Sequence, residues 1–182
     1  MFSHRGIAMS NTPDVLNDCV ADIAFGLMID VARGLSASDR FVRRGEWVRD
    51  AFPLQTRVSG KRLGIPGLGR IGTAIARRAA GFDMDVRNHN RHAVPGVPYQ
   101  YESTLAGLAQ WADFLMVASA GGPDTRHLVS AEILVALDNV VILPHVASAT
   151  HDTRQAMADL TLANLRSYRE SGTLLTPIAG RG

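Results

Sequence analysis

The chain has 182 residues, of which 46% are hydrophobic and 20% are charged, a balance typical of a folded globular protein. Its formal net charge is +2 and the basic residues are scattered, so the charge pattern does not predict a nucleic-acid-binding surface. No apolar run is long enough to span a membrane, and residues 1–10 lack the apolar core of a signal peptide. The sequence therefore predicts a cytoplasmic protein without a membrane or nucleic-acid partner.

Cys19 is the single cysteine of the chain. One cysteine excludes an intrachain disulfide and a zinc site with four cysteine ligands. We expect Cys19 to be a buried, inert thiol, and a catalytic thiol is the less favoured alternative. The spacing of the histidines does not indicate a metal site either, so no metal is predicted.

The N-terminal part of the chain predicts two helices. The first is expected to begin at the sequence Thr-Pro-Asp of residues 12–14, because threonine caps helices, proline tolerates the first helical position and aspartate favours the first turn. Apolar residues follow at helical spacing, and Gly34 is expected to end the helix. A second, shorter helix is predicted over residues 36–44, and a loop over residues 46–60.

Predicted strands alternate with predicted helices from residue 62 onward. The strands are expected at residues 62–65, 85–89, 99–101, 114–118 and 140–143. The helices are expected after a glycine motif at residues 67–72, after a capping Ser103, over residues 130–137 and over residues 151–171 with Gly172 behind it. Such alternation is typical of a parallel sheet with helices on both faces, so the predicted fold class is α/β with a doubly wound sheet.

The glycine motif has the sequence Gly-Leu-Gly-Arg-Ile-Gly at residues 67–72, between a predicted strand and a predicted helix. This is the context in which G-x-G-x-x-G binds a dinucleotide. Gly67 is expected to make a tight turn, Gly69 to let the backbone approach a pyrophosphate, and Gly72 to let helix and strand pack closely. The N–H groups at the start of the helix would then face the phosphates. The alternative is a glycine-rich turn without a ligand. The cofactor-binding residues predicted here are Gly67, Gly69, Arg70, Ile71 and Gly72.

Pro66 precedes the first glycine, inside the predicted strand. Proline cannot donate a hydrogen bond to a neighbouring strand, so Pro66 is expected to weaken the sheet next to the motif. The sequence offers no feature that compensates for this loss.

The second predicted strand runs into Asn90 and Arg91. A site selective for NAD would place an acidic residue about 20 residues past the glycine motif, where it binds the ribose 2′-hydroxyl. An asparagine does not repel a 2′-phosphate, and an arginine can pair with one. The sequence therefore predicts that NADP(H) is preferred and that NAD(H) is possible. The alternative for Arg91 is a solvated surface charge.

Four segments, in the same order, resemble the D-isomer-specific 2-hydroxyacid dehydrogenases. Residues 11–22 resemble the family's interdomain segment, and residues 64–72 resemble its nucleotide loop, where valine is usual at the position of Pro66. Residues 121–128 resemble the loop after the fourth strand, and residues 143–150 resemble the segment with the catalytic histidine. Within the family, the segments resemble most the glyoxylate/hydroxypyruvate reductases, which often use NADPH. The resemblance implies a Rossmann-type domain.

The resemblance also implies residue roles. His145 would be the catalytic general acid, which donates a proton to the substrate carbonyl oxygen as hydride arrives from the nicotinamide. The alternative is a histidine at a strand end with only local hydrogen bonds. A small 2-oxoacid or 2-hydroxyacid substrate is implied. A homodimer is implied as well, whose interface includes the apolar stripe of residues 16–31, and we expect this stripe to be exposed in a single chain. The implied further cofactor-binding residues are Ala118, Ser119, Thr125 and Ser148.

The same resemblance predicts the domain organisation. Residues 1–58 would be a helical linking segment left from a mostly missing substrate domain, residues 59–150 an NAD(P)-binding Rossmann domain, and residues 151–182 a C-terminal helix and tail. The Rossmann domain is shortened near residues 137–138, where two strand–helix stretches of the family are missing. They carry an arginine that grips the substrate carboxylate and a glutamate that orients the histidine.

Three functions therefore stay open at the level of the sequence. The first is an oxidoreductase that reduces glyoxylate-like or hydroxypyruvate-like 2-oxoacids with NAD(P)H. The second is a catalytically impaired NAD(P)-binding fragment that lacks the family's arginine and glutamate, or a subunit that needs a partner chain. The third is a shortened chain without a stable fold.

Overall fold

The computed structural model describes residues 7–119, 121 and 143–178. The chain divides into two compact units, the larger of residues 21–144 and the smaller of residues 1–20 together with residues 145–182. The helix predicted over residues 130–137 and residues 140–142 of the last predicted strand lie outside the described residues. The domain boundaries given by the family resemblance stay a prediction.

The first helix, α1 (Asn17–Arg33), begins later than predicted. The prediction of a start at Thr12-Pro13-Asp14 is wrong because Asp14 has a φ of 71°, which lies outside the helical region. The side-chain Nδ2 of Asn17 donates to Oδ1 of Asp14 at 3.1 Å, at the observed start of the helix. The predicted end is confirmed, since Gly34 has a φ of 62° and its N–H donates to the carbonyl of Asp30.

A second helix, α2 (Leu35–Arg43), follows directly, and a single 3-10 turn occupies Glu46–Val48 of the predicted loop. The other elements of the larger unit form a parallel sheet with strand order β3-β2-β1-β4. In chain order they are β1 (Arg62–Pro66), α3 (Arg70–Ala79), β2 (Asp85–His89), β3 (Gln100–Tyr101), α4 (Leu105–Trp111) and β4 (Phe114–Leu115).

Helices cover both faces of this sheet. Leu63 and Ile65 are fully buried in a core shared with α1 and α3, where the rings of Phe25 and Phe82 stack at 5.2 Å. Gly64, which points to the opposite face, lies against α4, and a Cβ at this position would be 3.0 Å from Cγ of Leu108. The α/β, doubly wound fold class is therefore confirmed.

Strand β4 is shorter than the predicted residues 114–118, and Pro66 gives the reason. Its last pair with β1 is Gly64 with Leu115, and the next ladder bond would need an N–H at residue 66. The chain still runs beside β1, because the N–H of Ala118 donates to the carbonyl of Pro66 at 2.9 Å. On the other side, the N–H of Gly67 donates to the carbonyl of His89 at 2.9 Å. The missing N–H of Pro66 therefore shortens the pairing of β1 with β4, whereas the pairing of β1 with β2 continues to Pro66.

An ion pair fixes the start of β1, at the opposite end from the glycine motif. Oδ2 of Asp113 accepts from the backbone N–H of Arg62 at 2.9 Å, and Nη2 of Arg62 lies 3.0 Å from Oδ1 of Asp113. The hydrogen bonds from the Arg62 guanidinium and backbone hold the pKa of Asp113 below its usual range. The ion pair therefore attaches Asp113, the residue before β4, to the first residue of β1, and so supports the short pairing between these two strands.

The residues at the helix ends test two predictions. The predicted cap of the helix before β4 is wrong, and the predicted bounds of the C-terminal helix are confirmed. Thr104, and not Ser103, caps α4, because its Oγ1 accepts from the N–H of Gly107 at 3.0 Å. Helix α5 (His151–Ser171) has the predicted bounds. Thr150 caps its start, and Gly172, with a φ of 72°, ends it.

The smaller unit joins the two end segments of the chain. Ser10 forms an antiparallel bridge with Pro177, and the N–H of Ile178 donates to the carbonyl of Met9 at 2.9 Å. The buried Asn164 of α5 holds the C-terminal one of these segments, because the N–H of Thr176 donates to Oδ1 of Asn164 at 3.0 Å.

Within the described residues, no helix has the length and apolarity needed to cross a bilayer.

Two expectations about the N-terminal helix are revised. Cys19, which was expected to be buried, is half-buried, and its Sγ lies 2.7 Å from Oγ1 of Thr153. The apolar stripe of residues 16–31 is half-buried and not exposed, while α1 buries Phe25 and Met28 in the core of the larger unit. Exposure of α1 is therefore not an argument for a dimer interface.

Candidate dinucleotide-binding site

The glycine motif lies where the strand order of the sheet reverses. The chain passes from β1 to β2 and β3 on one side, and then returns to β4 on the other side of β1. Residues 67–72 leave the carboxyl end of β1, and Ala118 and Ser119 follow the carboxyl end of β4. In open parallel sheets, ligands bind in the crevice at this kind of switch point.

Gly67 brings the two segments together. It has a φ of 100°, and a Cβ on it would lie 2.6 Å from the backbone N of Ser119 and 2.7 Å from the carbonyl carbon of Ala118. Oγ of Ser119 in turn donates to the carbonyl of Pro66 at 3.1 Å. The position tolerates only glycine, both for its conformation and for its contacts. The predicted residues Ala118 and Ser119 therefore lie against the glycine loop.

Gly72 and Gly69 have different environments. A Cβ on Gly72 would collide with the carbonyl oxygen of Gly67 and would lie 3.3 Å from Cγ2 of Ile65, so this glycine permits the close packing of α3 on β1. Gly69 caps α3 in an extended conformation, and a Cβ there would meet nothing within 4 Å. Gly69 and Arg70 are exposed, and Ile71 is half-buried.

The start of α3 is suited to an anion. The N–H groups of a first helical turn have no carbonyl partner within the helix, and the helix dipole places partial positive charge there. Gly69 provides no side-chain cap to occupy those donors. The backbone at Gly69 is thus accessible to a phosphate group from outside the loop.

The end of β2 contacts the same loop. Oδ1 of Asn90 accepts from the backbone N–H of Leu68 at 2.7 Å. The sequence did not predict this bond, because the partners are separated by 22 positions and no spacing rule links them. Arg91 follows as an exposed side chain, and residues 88–91 contain no acidic group.

The other predicted site residues are not part of the described larger unit. Thr125 is outside the described residues. His145 and Ser148 belong to the smaller unit, where His145 is exposed and Ser148 is 7% exposed, next to a turn closed by the N–H of Ala149 and the carbonyl of Val146. Among the described residues of that unit, His145 has no hydrogen bond to a carboxylate. In the described part of the chain, no cluster of three or more His, Cys, Asp or Glu side chains could hold a metal ion.

Three relatives align with nearly the whole of this chain. The glyoxylate/hydroxypyruvate reductase A HPR2 of Arabidopsis thaliana is 38% identical over 224 aligned positions, which cover 96% of this chain and 72% of the relative. The hydroxyphenylpyruvate reductase of Plectranthus scutellarioides is 36% identical with the same coverage. The NADPH-dependent glyoxylate/hydroxypyruvate reductase of Sinorhizobium meliloti, solved with NADP and malonate, is 34% identical at a TM-score of 0.86, covering 97% of this chain and 72% of that one.

The alignment with the Arabidopsis reductase is longer than the 182 residues of this chain, so the relative has residues within the aligned region that this chain lacks. This agrees with the shortening inferred from the sequence. Residues 25–165 match the family described as D-isomer specific 2-hydroxyacid dehydrogenase, NAD binding domain. The chain therefore belongs to the D-isomer-specific 2-hydroxyacid dehydrogenase family.

Proposed function

We propose that this chain binds NADP(H) at the glycine loop and reduces small 2-oxoacids of the glyoxylate and hydroxypyruvate type. The observation that carries the proposal is the loop of residues 67–72, which lies at the switch point of a parallel sheet and leaves the start of α3 accessible. The family match and the relatives named as glyoxylate/hydroxypyruvate reductases support the reaction class.

The preference for NADP(H) is supported by the end of β2. Asn90 takes the place of an acidic residue, and Arg91, an exposed residue, follows it. A carboxylate at this place would accept from the ribose 2′-hydroxyl and repel a 2′-phosphate. The Sinorhizobium relative, which is named as NADPH-dependent, was solved with NADP.

Thermal unfolding with and without dinucleotide tests this proposal. At roughly 100 times its Kd, a ligand stabilises the folded state by about 2.7 kcal/mol. For a chain of this size we expect NADPH to raise the melting temperature by roughly 5–10 °C. NADH at the same concentration is expected to raise it less. Equal shifts would contradict the NADPH preference, and a cooperative transition that neither dinucleotide moves would contradict the proposed site.

Replacing Arg91 tests the phosphate contact directly. We expect Arg91→Ala to lower NADPH affinity by roughly 10- to 100-fold, the loss of a charge-assisted hydrogen bond, and to leave NADH affinity unchanged. The matched control is Arg43→Ala, which removes the same charge from α2, where the side chain is 77% exposed. Titration with both dinucleotides measures the effect. An unchanged ratio of the two affinities in Arg91→Ala would mean that Arg91 does not contact the 2′-phosphate.

His145 is the residue that we propose as proton donor to the substrate carbonyl oxygen. Imidazole suits this role because its pKa lies near neutral pH. A second candidate function is a dinucleotide-binding module with impaired catalysis. It is favoured by the aligned region that this chain lacks and by the exposed His145, which has no carboxylate partner among the described residues of its unit. The homodimer that the family resemblance implies and the cytoplasmic location that the composition predicts stay proposals.

A further inference from the structure

The backbone N–H groups of the glycine loop donate to two kinds of acceptor, backbone carbonyls and one side chain. The N–H of Gly67 donates to the carbonyl of His89, and the N–H of Gly69 donates back to the carbonyl of Gly67, both at 2.9 Å. Between them, the N–H of Leu68 has a side chain as its acceptor, Oδ1 of Asn90 at 2.7 Å. Leu68 is only 3% exposed, so water is not a ready substitute for that acceptor.

Asn90 is itself held by β3. The hydroxyl of Tyr101 donates to the backbone carbonyl of Asn90 at 3.1 Å. Two residues earlier, Nδ2 of the buried Asn88 donates to the carbonyls of Tyr99 and Gln100 at 3.3 and 3.2 Å. These bonds attach the end of β2, and Asn90 just after it, to residues 99–101 at β3. The loop is thus attached to an anchored residue and not to a mobile surface side chain.

The bond also fixes which end of the Asn90 amide meets the loop. A backbone N–H needs an acceptor, so Oδ1 faces Leu68 and the Nδ2 group, which only donates, is left for other partners. A donor suits a phosphate oxygen, whereas an aspartate at this position would offer a second acceptor. The orientation of the amide therefore follows from the loop.

We infer that Asn90 is a positioning residue: it holds the glycine loop in the shape that accepts the pyrophosphate, and this role is common to NADPH and NADH. This inference rests on the proposed dinucleotide binding and adds to it. A contact to the 2′-phosphate would affect NADPH alone. Support of the loop affects both dinucleotides, because both carry the pyrophosphate.

The test compares three variants of the full chain. Asn90→Leu keeps the side-chain size and removes the acceptor, Asn90→Asp keeps the acceptor, and Arg91→Ala removes the neighbouring charge. The readouts are the hydrogen-exchange rate of the Leu68 amide and the affinities for NADPH and NADH by titration. Cooperative thermal unfolding of each variant serves as the control for folding.

In Asn90→Leu we expect the Leu68 amide to exchange about tenfold faster than in the unsubstituted chain. We expect the affinities for NADPH and NADH both to fall by a factor of about 10, which corresponds to the loss of one hydrogen bond. In Asn90→Asp we expect Leu68 to stay protected, NADH affinity to be retained and NADPH affinity to fall. In Arg91→Ala we expect Leu68 to stay protected and the NADPH affinity alone to fall.

Two results would overturn the inference. One is an Asn90→Leu variant that loses NADPH affinity alone and keeps slow exchange at Leu68, since that pattern describes a plain 2′-phosphate contact. The other is an Asn90→Asp variant that folds but exchanges the Leu68 amide about tenfold faster than the unsubstituted chain does, and this result decides the matter even where Asn90→Leu does not fold. If the unsubstituted chain binds neither dinucleotide, the proposed function fails, while exchange at Leu68 still decides whether Asn90 holds the loop.

Discussion

Gly67→Ala is expected to abolish NADPH binding and to lower the free energy of unfolding by about 2–4 kcal/mol. The residue has a φ of 100°, which a side chain strains, and the added Cβ would lie 2.6 Å from the backbone N of Ser119. The atoms it meets are backbone atoms of the chain after β4, so no side-chain rotation relieves the contact. Relief requires that the loop and residues 118–119 move apart, which opens the crevice in which the dinucleotide would bind. Chemical denaturation and dinucleotide titration measure the two effects.

Gly69→Ala is the matched control for this substitution. It adds the same methyl group two residues later, where φ is −87° and a Cβ meets nothing within 4 Å. We expect its free energy of unfolding to stay within about 0.5 kcal/mol of that of the unsubstituted chain. Its NADPH affinity is expected to fall, because the methyl group projects where the pyrophosphate would approach. Unchanged affinity in Gly69→Ala would place the phosphates elsewhere, and a stable, binding-competent Gly67→Ala would contradict the geometry of the loop.

The parts of the fold that the sequence predicted are those with local signals. The strand, turn and helix over residues 62–79 follow from an apolar run, a glycine pattern and helical spacing, all within one short segment. Helix α5 was predicted with the bounds it has, because apolar residues at helical spacing and Gly172 behind them are local signals. The roles of Gly67 and Gly72 in the turn and in close packing were also predictable, since only glycine fits them.

The parts that the sequence did not predict depend on distant partners. Pro66 was recognised as a defect, but the strand it shortens is β4, whose position beside β1 follows from the topology. The acceptor for the Leu68 N–H is Asn90, and only the parallel pairing of β1 with β2 brings the two together. The start of α1 was misplaced because Asp14 adopts a positive φ, which the favourable residue types of Thr12 and Pro13 did not indicate.

We expect the shortening of the chain to lower the rate of catalysis more than the affinity for the dinucleotide. With NADPH and glyoxylate, we expect this chain to react about 10²–10⁴-fold more slowly than the Sinorhizobium reductase assayed beside it, the range that general acid–base catalysis contributes. Among the described residues of its unit, His145 has no carboxylate to orient it, and the sequence resemblance assigns no arginine to clamp the substrate carboxylate. Dinucleotide binding needs neither group. A rate equal to that of the relative would contradict the inferred impairment.

The same assay tests His145 itself. His145→Gln is expected to remove the remaining NADPH-dependent consumption of glyoxylate and to leave NADPH affinity unchanged, because glutamine hydrogen-bonds but does not transfer the proton. The matched control, His151→Gln, replaces another exposed histidine at the start of α5 and is expected to retain the rate. If His145→Gln reacts as fast as the unsubstituted chain, the proton comes from another group and the role implied by the family does not hold here. If the unsubstituted chain binds NADPH but does not consume glyoxylate, the second candidate function is supported. The chain then acts as a dinucleotide-binding module, because cofactor binding at the glycine loop does not require the missing catalytic groups.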